Sequence, residues 1–227
     1  VSLMKKVLLK LARLMFGFFL YGLGISLTIN ADLGLAPWGV FHQGLSNQLG
    51  ITFGNAIIIT GATIVILDLF LKERVGWGTI GNVYFIGTFI DLIEKANFLP
   101  TPENIIARFL MVILGMATIS MATFLYLGSQ LGSGPRDGLM VALTKKTNKQ
   151  VGIIRTAIET SALLFGFLMG GKVGWGTLLM SLGLGYFVQT TFKIFKFDVK
   201  QVVHRYVDQD ISFLFQKVKT WREGQTP

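Results

Sequence analysis

VGWGT stands at residues 75–79 and VGWGT again at residues 173–177, so Val75 and Val173 lie 98 positions apart. A pentapeptide written twice in 227 residues marks a duplication, and sliding the chain on itself by 98 positions needs no gap. Leu33 falls on Leu131, Gly34 on Gly132, Pro37 on Pro135, Leu45 on Leu143, Gly54 on Gly152, Gly87 on Gly185 and Phe89 on Phe187. Positions 31–90 give 12 identities in 60. Most of them are glycines, prolines and the pentapeptide itself, the residues that set backbone geometry.

Composition places this duplication in a membrane. Hydrophobic residues make up 52% of the chain, charged residues 15%, and the mean hydropathy is +0.59. A soluble domain carries about 25% charged residues. Several apolar runs approach the roughly 20 residues that cross a bilayer as helix. The 27 glycines fit, since glycine is commoner in membrane helices than in soluble ones. Without cysteine there is no disulfide framework, thiolate metal site or cysteine nucleophile. The start, VSLMKKVLLKLARLMFGFFLYGLGISL, is basic then apolar like a signal peptide, but it lacks a small-residue cleavage site and reads as a retained first helix.

Six spans are predicted at about 12–30, 53–71, 78–95, 105–127, 151–170 and 176–195. The third and sixth are the least apolar, containing Asn82, Asp91 and Gln189. With the N-terminus in the cytoplasm, 17 Lys and Arg fall on the inner side of these spans. Only Lys95, Arg108 and Lys172 fall on the outer side. That bias predicts six crossings with both termini inside. It also accounts for the net charge of +9 without nucleic acid. Each half holds three spans, an odd number, so the second half enters from the opposite side. The chain thus reads as an all-α integral membrane protein of about six transmembrane helices in an inverted 3+3 repeat. Its parts are residues 1–98, 99–196 and a cytoplasmic amphipathic tail, 197–227. The 31–52 connector has no Lys or Arg, while its counterpart at 129–150 has four, as opposite placement requires.

Both connectors open on a glycine-rich turn, place a proline and continue as a short amphipathic helix, near 37–48 and 135–147. Pro37 and Pro135 suit a first helical turn, where no backbone N–H is needed. Trp38, Phe41, Leu45 and Leu49 recur at helical spacing as one apolar face, with His42 on the polar side. About ten residues are too few to span, so each helix is either interfacial or a re-entrant half-helix. A half-helix aims unpaired N–H groups into the protein, where they attract an anionic group. Glycine-rich backbone beside a span must line protein or water, which favours the dipping arrangement.

Four stretches, GLAPWGVFHQGL, ITFGNAIII, VGWGTIGNVYFIGTFIDLI and GSGPRDGLMVAL, resemble the YczE/YyaS/YitT group of bacterial membrane proteins. The likeness covers roughly residues 10–195 and not the tail. It implies a multi-pass plasma-membrane protein of largely uncharacterised function and supplies no established catalytic or transport residue. YitT-type relatives add a soluble C-terminal domain, where this chain has only its tail.

Candidate functional residues follow from where polar groups interrupt the spans. Glu159 lies about eight residues into the fifth span, hence roughly 12 Å along it and near the midplane. A carboxylate at that depth marks a functional site or an ion pair with Arg155, four residues earlier. Pro37, Trp38 and His42, with Pro135, Arg136 and Asp137, would contribute from the two short helices. Asp91 with Glu94 either lines a path or reaches the outer interface. Asp68, four residues before Lys72, reads as half of a surface pair. Gly76, Trp77, Gly78 and Thr79, with Gly174, Trp175, Gly176 and Thr177, read as helix packing or a hinge, the tryptophans as an aromatic belt. Trp77 is placed at the inner interface and Trp175 at the outer one.

No HExxH, GxSxG, P-loop or paired histidines occur, so neither a metal, a cofactor nor an enzyme is expected. In the tail, Val199, Val203, Tyr206, Ile211, Leu214, Phe215, Val218 and Trp221 alternate with Lys and Arg. They form an amphipathic helix suited to anionic inner-leaflet lipids or to a partner protein. The Gly and Ala content of the spans also offers surfaces for a homodimer. Two functions fit: a small secondary transporter or channel for a polar metabolite or ion, or an accessory protein acting through its basic inner face and tail. Single cysteines at Ser46 and Thr144, exposed to an impermeant thiol reagent on intact cells, test the inversion. Only Ser46→Cys is expected to label; labelling of both, or of Thr144→Cys alone, contradicts it.

Overall fold

The computed structural model describes residues 3–223. Helices α1 (Leu3–Asn30), α2 (Pro37–Leu49), α3 (Phe53–Phe70) and α4 (Trp77–Ala96) make up the first half. The second half holds α5 (Ile105–Leu127), α6 (Pro135–Thr147), α7 (Val151–Leu168) and α8 (Trp175–Ile194). A 3-10 turn at Val199–Gln201 leads to α9 (Val207–Glu223), and no strand occurs among the described residues. Among the described residues four segments are long and apolar enough to cross a membrane: Val7–Asn30, α3, α5 and α7. They coincide with the first, second, fourth and fifth predicted spans. The third and sixth fall on α4 and α8, each 20 residues long. Asp91, Glu94 and Lys95 in α4, and Gln189 and Lys193 in α8, make these two less apolar.

Helix boundaries recur with the 98-residue offset found in the sequence. Helices α2 and α6 each have 13 residues and begin on a proline, α3 and α7 each have 18, and α4 and α8 each have 20. Left-handed backbone recurs with the same offset, at Asp32 and Gln130, Gly34 and Gly132, Gly50 and Asn148, and Lys72 and Gly170. Gly50 and Asn148 are the left-handed caps that end the two short helices.

At the centre α1 packs along α5, with α4 against α1 and α8 against α5. Phe18, fully buried, stacks on Phe85 and meets Tyr126, joining α1, α4 and α5. Each short helix packs on a long helix of the other half, α2 on α7 and α6 on α3. The N-termini of α4 and α8 cross over likewise. Gly78 donates its N–H to the Leu131 carbonyl at 2.7 Å, and Gly176 donates to the Leu33 carbonyl at 2.7 Å. Thr79 accepts the Gly76 N–H at 3.2 Å and donates its hydroxyl to the Ser133 carbonyl at 2.7 Å. Thr177 accepts the Gly174 N–H at 3.1 Å. VGWGT is therefore a clasp on the turn that precedes the other half's short helix. Its tryptophans project outward, Trp77 50% and Trp175 70% exposed.

Two sequence expectations change. The buried stripe of α2 is Val40, His42 and Gly44, while Leu49 is exposed. Gly44 lies against the Gly166 carbonyl of α7, while His42, two residues away and so on the other side of α2, is buried against Phe53 of α3 and Arg136 of α6 rather than on a polar face. Asp68 is not a surface residue: it is 2% exposed, beneath Gly138 of α6. Glu73 pairs with Lys145 on α6 at 2.6 Å. At the opposite end Asp32 meets Lys172 at 2.7 Å and Arg108 at 3.4 Å. The hydrogen bond from Lys172 holds its carboxyl below the usual carboxylate range.

The tail docks on the first clasp. Val207 donates its N–H to the Val75 carbonyl at 3.0 Å, and Arg205 its N–H to the Gln130 carbonyl at 2.9 Å. Trp77 donates its indole N–H to Asp210 at 3.0 Å, and Arg205 also pairs with Asp210. The helix is shorter than the apolar spacing suggests: Val199 lies in the 3-10 turn, Val203 and Tyr206 precede α9, and Ile211 and Phe215 on α9 are exposed. The side chains of Leu214, Val218 and Trp221 lie outside the described residues.

Gly34 has φ +96°, and a Cβ there would stand 2.7 Å from the Thr177 hydroxyl, inside the clasp. Gly50 has φ +64° and open space around it. Gly50→Ala carries only left-handed strain, about 1–2 kcal/mol. Gly34→Ala adds the clash, so thermal melts of the purified protein are expected to show a clearly larger loss for Gly34→Ala. Equal losses would mean that the clasp contributes nothing.

Candidate functional site

A cavity of about 250 Å³ lies between the two halves. Pro37 and Trp38 at the start of α2, and Pro135, Arg136 and Asp137 at the start of α6, both end in it. The clasps fix this convergence, because each holds the turn from which one short helix starts. Both helices begin on proline, which suits a first helical turn because no backbone N–H is needed there.

Inside the cavity Arg136 carries its guanidinium over the Trp38 ring, 4.5 Å from its centre. The same guanidinium comes to 3.4 Å from Nε2 of His42. His42, 2% exposed, is held by rings on three sides, with Trp38, Phe41 and Phe53 centred 6.0–6.1 Å away. The Asp137 carboxylate and the Tyr126 hydroxyl both stand beside Gly134, just ahead of α6. On α7, Arg155 donates to Glu159 at 3.0 Å. Tyr21, Thr28 and Asn82 supply further polar groups to a wall whose apolar part includes Ile57, Ile86, Met180 and Leu184.

Of the residues singled out in the sequence, Pro37, Trp38, His42, Pro135, Arg136, Asp137, Arg155 and Glu159 all line this cavity. Asp91 does not. It sits on the seam between α3 and α4, accepting the Thr52 hydroxyl at 2.5 Å and the Gly54 N–H at 2.8 Å. The eight clasp residues pack away from the cavity. Sequence reasoning missed Tyr21 and Tyr126, although a tyrosine deep in an apolar run needs a partner for its hydroxyl and was the available signal. Asn82 was noticed only as a polar interruption of a span.

The cavity walls pair by the 98-residue offset: Pro37 with Pro135, Trp38 with Arg136, Gly39 with Asp137, His42 with Met140, Ile57 with Arg155 and Asn82 with Met180. All four charged residues that line it, Arg136, Asp137, Arg155 and Glu159, come from the second half. Two arginines and two carboxylates leave no formal excess of charge. Added to two helix N-termini, they give a polar chamber with separate attachment points for negative and positive groups.

Residues 8–193 match the model of a family of unknown function, DUF6198. The chain belongs to that family. A Haemophilus influenzae relative described as an uncharacterized protein is 34% identical over 176 residues, covering 78% of this chain and 80% of its own. Bacillus subtilis supplies the uncharacterized membrane protein YczE, 36% identical over 172 residues, covering 74% and 79%. It also supplies the uncharacterized protein YyaS, 27% identical over 169 residues, covering 72% and 82%. The resemblance drawn from GLAPWGVFHQGL and its companion stretches is thereby borne out for the YczE and YyaS branch. No solved structure matches the chain. A YczE-type family, an all-helical chain and four apolar helices of crossing length together describe a helical membrane protein.

The contact between Trp38 and Arg136 is the most direct tie between the two short helices. A desolvated cation–π pair is worth about 2 kcal/mol. A double-mutant cycle of Trp38→Leu and Arg136→Met, read by thermal unfolding in detergent, is expected to give a coupling of about 1–2 kcal/mol. Strict additivity would show that the two short helices are not energetically joined.

Proposed function

We propose that the chain is a small secondary transporter moving a polar metabolite or ion through the cavity between its halves. The halves form an inverted 3+3 repeat in a bacterial plasma membrane, residues 1–98 and 99–196. Helices α4 and α8 complete six crossings, and both termini are cytoplasmic. The observation that carries this reading is the composition of the cavity wall, which is built from residue pairs at the repeat offset. A site shared by two oppositely oriented copies can face either side when one copy rocks against the other. The re-entrant reading of α2 and α6 is supported by their N-termini ending in the cavity rather than on the surface. The 17 inner Lys and Arg support the orientation and provide a face for anionic inner-leaflet lipids.

A second reading, an accessory membrane protein acting through its tail, draws on the exposed Ile211, Phe213 and Phe215 of α9. The two readings separate in one assay. Purified protein in sealed vesicles is given a panel of labelled amino acids, organic acids, and inorganic anions and cations. Saturable, protein-dependent flux of at least one is expected. Glu159→Gln is expected to lower that flux at least tenfold, while deletion of residues 199–227 leaves it largely intact. No flux across the panel, with a cellular phenotype lost only on tail deletion, would establish the accessory role instead.

A further inference from the structure

The two halves share their helix boundaries but not their closure. In the first half α3 packs along α4, and Gly54 and Gly87 bring the two backbones together. A Cβ on Gly87 would reach 2.5 Å from the Gly54 carbonyl oxygen and 2.8 Å from Ile58. The seam is latched by Asp91, which accepts the Thr52 hydroxyl and the Gly54 N–H. The offset of 98 carries Gly54 to Gly152, Gly87 to Gly185, Thr52 to Gln150 and Asp91 to Gln189. There the packing is absent. Helices α7 and α8 do not pack along each other, and a Cβ on Gly152 or Gly185 would meet nothing within 4 Å. Gly185 lines the central cavity, so this gap opens it.

Glycine inside a helix is costly unless close packing uses it. Gly185 lies inside α8, and nothing in this conformation uses it. The arrangement that would use it already exists in the other half, in the same register. We infer that α7 and α8 form the inner gate of the cavity, captured open. In a second conformation Gly152 packs on Gly185 and Gln189 latches the N-terminus of α7, while the α3–α4 seam opens. This rests on the transporter reading for its purpose, but the gate is a property of the fold. Glutamine can play the latch: its amide oxygen accepts the Gly152 N–H, and its NH2 group reaches the Gln150 side chain. The match is not equal, because hydrogen bonds to a carboxylate are stronger than those to a neutral amide. The α3–α4 latch therefore holds better than the α7–α8 latch, which accounts for the conformation seen here, closed at α3–α4 and open at α7–α8.

The chain has no native cysteine, so paired cysteines report each gate directly. Under mild oxidation the Thr52→Cys/Asp91→Cys pair is expected to form a disulfide. The Gln150→Cys/Gln189→Cys pair is expected to form one as well, more slowly, in a species that remains a single chain on a non-reducing gel. Adding Asp91→Asn to the second pair is expected to speed its closure several-fold, since it loosens the opposite latch. Gly185→Leu faces open space, so the protein still folds, and it is expected to abolish that closure. Failure of the 150/189 pair to close, closure only between two chains, or a rate indifferent to Asp91→Asn would overturn the gate. The readout needs no transported solute. Closure without flux would refute the transporter reading alone, and flux without closure would refute the gate alone.

Discussion

Two backbone hydrogen bonds set the frame on which everything else depends. Gly78 donates to Leu131 and Gly176 donates to Leu33, each reaching from one half to the turn ahead of the other half's short helix. Such bonds need backbones in contact, so the donors are glycines, and the threonine three residues after the first glycine of VGWGT accepts that glycine's N–H. In a bilayer, where water does not satisfy stray polar groups, irregular backbone of this kind persists only when the protein itself supplies partners. The clasps thus decide where α2 and α6 begin, and their starting points define the cavity.

Much of this was legible in the sequence because glycine, proline and the repeated pentapeptide report backbone geometry directly. The offset of 98 pairs six helix starts, those of α2 with α6, α3 with α7 and α4 with α8, and Pro37 and Pro135 mark two of them. Glu159 and Arg155, polar inside an apolar run, and Arg136, which follows the second connector's proline, do meet in the cavity. Less legible was anything that depends on which helix lies opposite. The apolar spacing of its neighbours puts His42 on a polar face, whereas α3 and α6 cover that face, through Phe53 and Arg136. Asp68 looked like a surface residue from its distance to Lys72, but α6 covers it through Gly138. Periodicity describes one helix at a time, and these two positions are decided by a second.

The departures from symmetry carry as much meaning as the symmetry. The charged residues of the cavity all belong to the second half, where the first half offers Trp38, Gly39, Ile57 and Gly61. Among the described residues the tail meets the first clasp, through Val75 and Trp77. A carboxylate latches one long-helix pair, and the corresponding residue in the other half is an amide. The chain keeps its glycines at the 98-residue offset while its polar residues diverge, so one backbone plan carries two different sets of polar contacts.

The clasp itself is the most direct thing to measure. Amide hydrogen exchange, resolved residue by residue in lipid nanodiscs, reads the Gly78 and Gly176 N–H groups individually. The account predicts both protected by at least about a hundredfold over a free loop amide, an opening free energy of roughly 2.7 kcal/mol or more. It also predicts that Gly176 loses protection in Gly34→Ala. Exchange of Gly78 and Gly176 at the rate of an exposed loop would contradict the crossed clasp, and with it the placement of both short helices.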